Sequence, residues 1–257
     1  MQLSNKVVLI TGASSGIGYS LSKLLFKEGA SVILIARRKE LLLELKSFAT
    51  DQNKVEVIES DVANTEDIKK VFEKTIEKFG RIDVAILNAG VSGRSPIIDF
   101  KTSLAKKIFD VNVFGIINFL ELLIPYFIEK RNGMIVGVSS LADARGYAQS
   151  GFYCSSKSAA TKLLESVRVE LKPHNIKVLT VKPGFVKTPM TDKNEFHMPF
   201  LMDVDKAAKI ILKGIKKEKR IIQFPFPIVI SSRLIRILPN FLFDWLSTRQ
   251  LPQRSDR

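Results

Sequence analysis

A single cysteine, Cys154, stands in 257 residues, so the chain can form no intramolecular disulfide and suits a reducing compartment. A cytoplasmic location is the expectation. Cys154 itself reads either as a reactive thiol or as the commoner small buried residue. Before residue 6 there is neither a basic n-region nor a cleavage site, so no secretory leader is predicted. Pro/Gly/Ser-rich linkers, low-complexity tracts and repeats of about 20–50 residues are missing too, which speaks against a second domain or a solenoid. No zinc-finger or other nucleic-acid signature accompanies the net charge of +14, and the lysines scatter along amphipathic helices. A solvated basic surface is the reading, with no nucleic-acid partner.

What is present is a chain with 46% hydrophobic residues, enough for one large core. Short apolar runs at 6–11, 31–36, 55–60, 83–87, 134–138 and 176–181 have the look of buried parallel strands. Helical patterns lie between them, the longest over 103–128, with others at 66–79, 153–171 and 203–217. Successive βα units predict a doubly wound parallel α/β sheet covered on both faces.

The first strand runs into Thr11-Gly12-Ala13-Ser14-Ser15-Gly16-Ile17-Gly18 and then a helix with Leu21, Leu24 and Leu25 on one face. Strand, glycine turn and helix bring backbone N–H groups and a helix N-terminus to a phosphate. The spacing is G-x-x-x-G-x-G, not the G-x-G-x-x-G of the dinucleotide fingerprint. The second strand ends in Ala36-Arg37-Arg38, where NAD-binding folds carry an acidic residue. With no carboxylate to repel a 2′-phosphate and a planar guanidinium at Arg37 suited to phosphate, NADP(H) is expected over NAD(H). After the third strand, the Asp61 carboxylate, next to Val62, could accept from an adenine amino group or could N-cap the following helix. The fourth strand delivers Asn88-Ala89-Gly90, a small-residue turn at the point where such a sheet reverses order.

Residues 139–157 read SSLADARGYAQSGFYCSSK. Tyr153 and Lys157 are four apart and share a helix face. A lysine charge beside a phenol lowers the phenol pKa from roughly 10, making a proton donor of it. Asn112, polar among apolar neighbours, reads locally as a satisfied core hydrogen bond.

Taken together, these residues resemble the short-chain dehydrogenase/reductase family in its short single-domain branch. The match covers about residues 6–190 and rests on TGASSGIG at 11–18, NAG at 88–90, Asn112, Ser140 with Tyr153-x-x-x-Lys157, and Pro183-Gly184. Ser140, thirteen residues before Tyr153, has the usual family separation. The resemblance implies a sheet of about seven strands and hydride transfer between a nicotinamide and a carbonyl or alcohol. It implies Tyr153 as general acid/base, Ser140 on the same oxygen, Lys157 on the nicotinamide ribose and Asn112 holding a water that links Lys157 to solvent. Backbone near Val186 would bind the carboxamide, with Thr188 near the pyrophosphate. It also implies a homodimer or homotetramer through the helices at 103–128 and 153–171. One departure is Ser15, where some NADP-binding members have a basic residue, so the NADP(H) expectation rests on Arg37, helped by Arg38.

Residues 1–220 form the predicted Rossmann domain and 221–257 a hydrophobic, basic extension. The extension suggests short amphipathic helices, with Arg233 and Arg236 among Leu234, Ile235, Ile237 and Leu238, then Phe241, Phe243 and Trp245. Its apolar stretches fall short of the roughly 20 residues that span a bilayer. Cover for the substrate site, a subunit contact, ordinary core and a peripheral membrane surface are the open readings. The first and last of these favour a hydrophobic, lipid-like carbonyl substrate. Competing functions are a sugar-nucleotide epimerase or dehydratase, which shares Y-x-x-x-K, and a non-catalytic NADP(H)-binding sensor. No metal site is predicted.

Overall fold

Seven parallel strands make one sheet, in the order β3-β2-β1-β4-β5-β6-β7, in a computed structural model that describes residues 1–194 and 196–249. The strands are β1 (Val7–Thr11), β2 (Ser31–Ala36), β3 (Val55–Glu59), β4 (Val84–Leu87), β5 (Gly133–Val138), β6 (Ile176–Pro183) and β7 (Ile221–Phe224). The helices are α1 (Gly16–Lys27), α2 (Lys39–Ser47), α3 (Thr65–Phe79), α4 (Thr102–Phe109), α5 (Gly115–Lys130), α6 (Gly151–Leu171), α7 (Val204–Lys216), α8 (Phe226–Ile237) and α9 (Asn240–Thr248).

Alternation along the strands splits the core in two. Val8 and Ile10 of β1 face Leu21 and Leu25 of α1 and Ile211 and Ile215 of α7. Val7 and Leu9 face the other way, toward Val71 of α3, Leu123 and Phe127 of α5 and Leu164 of α6. A strand apolar on both sides needs helices on both faces, and these two clusters supply them.

The chain winds outward from β1 through β2 to β3, then returns to the far side of β1 as β4. The strands on either side of β1 therefore leave in opposite directions. A crevice opens at the carboxyl ends of β1 and β4, where ligands bind in such sheets.

Three local features depart from the sequence reading. The predicted helix at 103–128 is a continuous helical run over 102–130 with a π-helical turn at Asp110–Phe114 joining α4 to α5. It is long and apolar enough to cross a membrane, yet Phe119, Leu120, Leu123 and Phe127 lie in the core. Asp61 does not N-cap α3. Asn64 does, its Oδ1 accepting from the Glu66 and Asp67 N–H groups at 3.0 and 3.3 Å, because Asp61 sits too far upstream of the first turn. Finally, the boundary at 220/221 cuts the sheet: β7 pairs in parallel with β6, with Ile222 and Phe224 buried, so the Rossmann unit runs to 224. Beyond Phe224 come α8 and α9; residues 250–257 of the predicted extension lie outside the described residues.

Candidate active site

A cleft of about 300 Å³ lies at the strand reversal. It is lined by Gly12, Ser14, Ser15, Gly16, Ile17, Arg37, Arg38, Asp61, Val62, Asn88, Ala89 and Gly90 on one side. Ser140, Tyr153, Lys157, Pro183, Gly184, Val186 and Thr188 line it too, with Val138, Ser139 and Met190 among the other residues of the wall. Of the residues predicted from sequence, Gly18 and Asn112 are not on its wall; each stands behind it.

Gly18 explains the glycine spacing. A β-carbon there would sit 2.3 Å from the Gly12 carbonyl oxygen, so the loop closes only without one. Thr11 then ties the loop to the next strand. Its Oγ1 accepts from the Asn88 and Ala89 N–H groups, both at 2.9 Å, while Asn88 Nδ2 donates to the Thr11 carbonyl at 2.9 Å. At the N-terminus of α1, Ser15 makes no side-chain cap. The first N–H groups of that helix are thus left for an anion. Thr188 packs against this turn, its Cγ2 3.1 Å from where a Gly16 β-carbon would be. These residues fit a dinucleotide, with room for backbone approach and donors for a pyrophosphate.

At the adenosine end the two arginines part. Arg38 donates from Nη2 to Ser14 Oγ at 3.0 Å and Ser15 Oγ at 3.1 Å. Arg37, 60% exposed, reaches Asp61 at 3.7 Å. Both arginines expected at the adenosine end line the cleft. Arg38 is the one hydrogen-bonded to the glycine loop, although both side chains are exposed. It also puts a basic group over Ser15, where the sequence showed only a serine.

At the other end, Ser140 Oγ accepts from the Ala142 N–H at 3.1 Å and donates to the Pro183 carbonyl at a long 3.5 Å, a bond that a closer acceptor in the cleft can replace. Burial pushes the Tyr153 phenol above its ordinary value, with the Ser140 hydrogen bond pulling it partly back. The lysine was expected to lower this pKa. In the structure burial is the larger effect, and Lys157 Nζ stands 5.8 Å from the ring centroid. Lys157 is itself nearly inaccessible, donates to the Val138 carbonyl at 3.0 Å, and is lowered by burial to about 8.

Asn112 is fully buried in the π-helical turn. Its Oδ1 accepts from the Val91 N–H at 2.8 Å, and its Nδ2 donates to the Val91 carbonyl at 2.9 Å and to Ser156 Oγ at 3.0 Å. The local reading of a satisfied core amide therefore holds. A Gly90 β-carbon would lie 3.3 Å from both Asn112 Oδ1 and Lys157 Nζ, which shows how closely the two converge behind the NAG turn.

Sequence reasoning missed the support beneath Ser140. Asp143 and Lys182 form an ion pair at 2.7 Å with almost no exposure. Asp143 also accepts from Thr161 Oγ1 at 2.7 Å, whose hydroxyl meets Ser139 Oγ at 2.6 Å. A lysine directly after the predicted buried strand at 176–181 was the available signal. Cys154 is buried, with its thiol pKa pushed up by burial, in keeping with the unreactive reading.

The short chain dehydrogenase family pattern matches residues 6–198. An uncharacterized oxidoreductase of Myxococcus xanthus is 34% identical over 249 residues, 96% of this chain and 98% of that protein. The 3-oxoacyl-(acyl-carrier-protein) reductase FabG of Thermotoga maritima is 39% identical over 194 residues, 75% and 79% of the two chains. Among solved structures, a short chain dehydrogenase from Burkholderia cenocepacia in complex with NADP superposes with a TM-score of 0.82 at 25% identity, over 98% of this chain and 100% of that one. One from Burkholderia phymatum in complex with NAD gives 0.83 at 20% identity, over 91% and 94%, a likeness of fold. With its matched residues, its sheet order and its motifs gathered at one cleft, this chain belongs to the short chain dehydrogenase family of oxidoreductases.

Proposed function

We propose that this protein is an NADP(H)-dependent reductase that interconverts a carbonyl and an alcohol on a hydrophobic, lipid-like substrate. The observation that carries the reading is that Ser140, Tyr153 and Lys157 line the same cleft as the glycine loop and Arg38.

A bound nicotinamide supplies the hydride when the carbonyl is reduced. The chain's own residues manage the oxygen and its proton. The Tyr153 hydroxyl donates a proton to the carbonyl oxygen, which is favoured because burial keeps the phenol protonated until an acceptor arrives. Ser140, its lone pair occupied by the Ala142 N–H, donates to the same oxygen and stabilises its developing charge. Lys157 holds its head on the Val138 carbonyl and keeps two N–H donors for ribose hydroxyls. Asn112 keeps one Oδ1 lone pair beside Lys157, where the family's water would be accepted. Val186 backbone would bind the carboxamide and Thr188 the pyrophosphate, a reading supported by their place with Pro183 and Gly184 on the cleft wall.

For the adenosine end, Arg38 with Arg37 supplies the cationic fork that a 2′-phosphate needs, and Ala36 brings no opposing carboxylate. Asp61 remains beside Val62 for the adenine. A hydrophobic substrate is supported by Met190, an exposed apolar residue on the cleft wall. Assembly as a homodimer or homotetramer through α4–α5 and α6 belongs to the same proposal, supported by the exposed Phe114 and Val169 on those elements.

The test is loss of NADPH absorbance across ketones graded from short and polar to long-chain, with wild type and Tyr153→Phe side by side. Tyrosine-dependent turnover that rises with chain length is the expected result. Turnover equal in Tyr153→Phe, or confined to small polar carbonyls, counts against the tyrosine or the lipid-like substrate respectively. NADPH binding without turnover on any ketone would favour the sensor.

A further inference from the structure

The outer side of α8 is apolar where a solvent-facing helix is polar. Phe226, Ile230, Leu234 and Ile237 recur at three- and four-residue steps, so they share a face. They are 74%, 42%, 58% and 79% exposed, while Val229 and Ser232 on the opposite face are buried. In α9, Phe241 and Trp245 stand one turn apart and are exposed as well. Large exposed apolar side chains gathered on two successive helices mark a site of association.

The two helices are also firmly set. Arg145 donates to the Ile235 carbonyl at 3.1 Å, to Asn240 Oδ1 at 3.0 Å and to the Leu238 carbonyl, and its guanidinium lies 4.7 Å from the Phe243 ring. The polar groups of the helix ends are thus spent inward on the loop after Ser140, while the large apolar side chains point away from it. This is no frayed tail that could fold back to cover its own greasy face.

We propose that α8 and α9 form a docking surface for an anionic lipid bilayer. Charge selects this occupant. From 226 to 249 the basic residues are Arg233, Arg236 and Arg249, against the one acidic residue Asp244, on a chain of net charge +14. A second copy would bring like charge to like charge, whereas an anionic surface complements it. Arg233 and Arg236 lie three residues apart beside the stripe, where their stems can run along the acyl boundary with the heads at phosphate level. Arg249 stacks on Trp245 at 3.7 Å, an amphipathic pair of the type found at the headgroup region. Pro225 and Ile228, at the root of α8, abut Gly184 on the cleft wall, so the docked surface sits beside the mouth of the site.

Trp245 is the sole tryptophan, so its emission reports on this surface without labelling. The full chain is mixed with phosphatidylcholine vesicles, with or without phosphatidylserine, at low and high salt. Sedimentation with the phosphatidylserine vesicles and a blue shift of Trp245 emission, both reversed at high salt, are expected. Each of Arg233→Gln and Arg236→Gln should weaken vesicle binding about fivefold. The exposed pair Ile237→Ser/Phe241→Ser should abolish it while circular dichroism and NADPH binding stay unchanged. Absence of both sedimentation and shift overturns the proposal, as does equal binding to neutral vesicles. A dimer that these serine substitutions dissolve overturns it too, because the face then belongs to a second copy.

Discussion

Lys182, near the end of β6, places its Nζ 2.7 Å from the Asp143 carboxylate in the loop after Ser140, with both side chains almost wholly buried. Through Thr161 and Ser139 the same carboxylate reaches the Lys157 backbone carbonyl, which accepts from Ser139 Oγ at 2.9 Å. One buried charge pair thus joins the loop carrying Ser140 to the helix carrying Tyr153.

Breaking that pair from one side leaves a buried charge without compensation. Lys182→Met should lower unfolding free energy by about 3–5 kcal/mol. Asp143→Leu with Lys182→Met should recover most of the loss, since no charge is then stranded. Urea unfolding of wild type and the two variants checks this; equal stability of Lys182→Met and wild type would show the pair to be inert.

Arg38, not Arg37, is bonded to the glycine loop. Arg38→Ala should raise the NADPH Kd about tenfold or more and leave the NADH Kd within about twofold, as loss of a charge-assisted phosphate contact predicts. Arg37→Ala should have the smaller effect of the two. Fluorescence titration with both cofactors decides it, and a Kd for NADPH unmoved in both variants would remove the NADP(H) assignment.

Lys157 has a folded-state pKa of about 8, below its free value of 10.5, because burial disfavours the ammonium. The fold therefore bears the full cost of charging Lys157 below pH 8. That cost fades as pH rises from about 8 to 10.5, so this group makes stability climb with pH across that window. Lys157→Met removes a penalty on the order of 3 kcal/mol at pH 7 and loses a hydrogen bond to Val138 of about 1 kcal/mol. The variant should be inactive yet more stable than wild type at pH 7, with the gap closing by about pH 10. Thermal melts at several pH values measure it; a variant less stable at pH 7 would count against a costly buried ammonium.

Much of this was legible in the chain. Runs such as 6–11 and 176–181 are apolar on both faces and can only be central strands, and the helices between them carry their period openly. The Gly12–Gly18 spacing, the NAG turn and Tyr153-x-x-x-Lys157 are local patterns, so the chemistry they imply could be read before any packing was known. What local patterns cannot carry is the direction of a side chain at an element's end. Asn64 and Asp61 are both good caps by type, and the turn geometry chose Asn64.

By itself the sequence determined the fold class, the family and about two thirds of the residues of the cleft wall, because each depends on neighbours within a few positions. The tertiary structure alone decided the rest. It bonded Arg38 to the glycine loop, joined Asp143 to Lys182 across 39 positions (182 less 143) and recruited β7 into the sheet. It also turned the apolar face of α8 outward. Each of those outcomes is a choice between groups distant in sequence, settled by which of them packing brings within bonding distance.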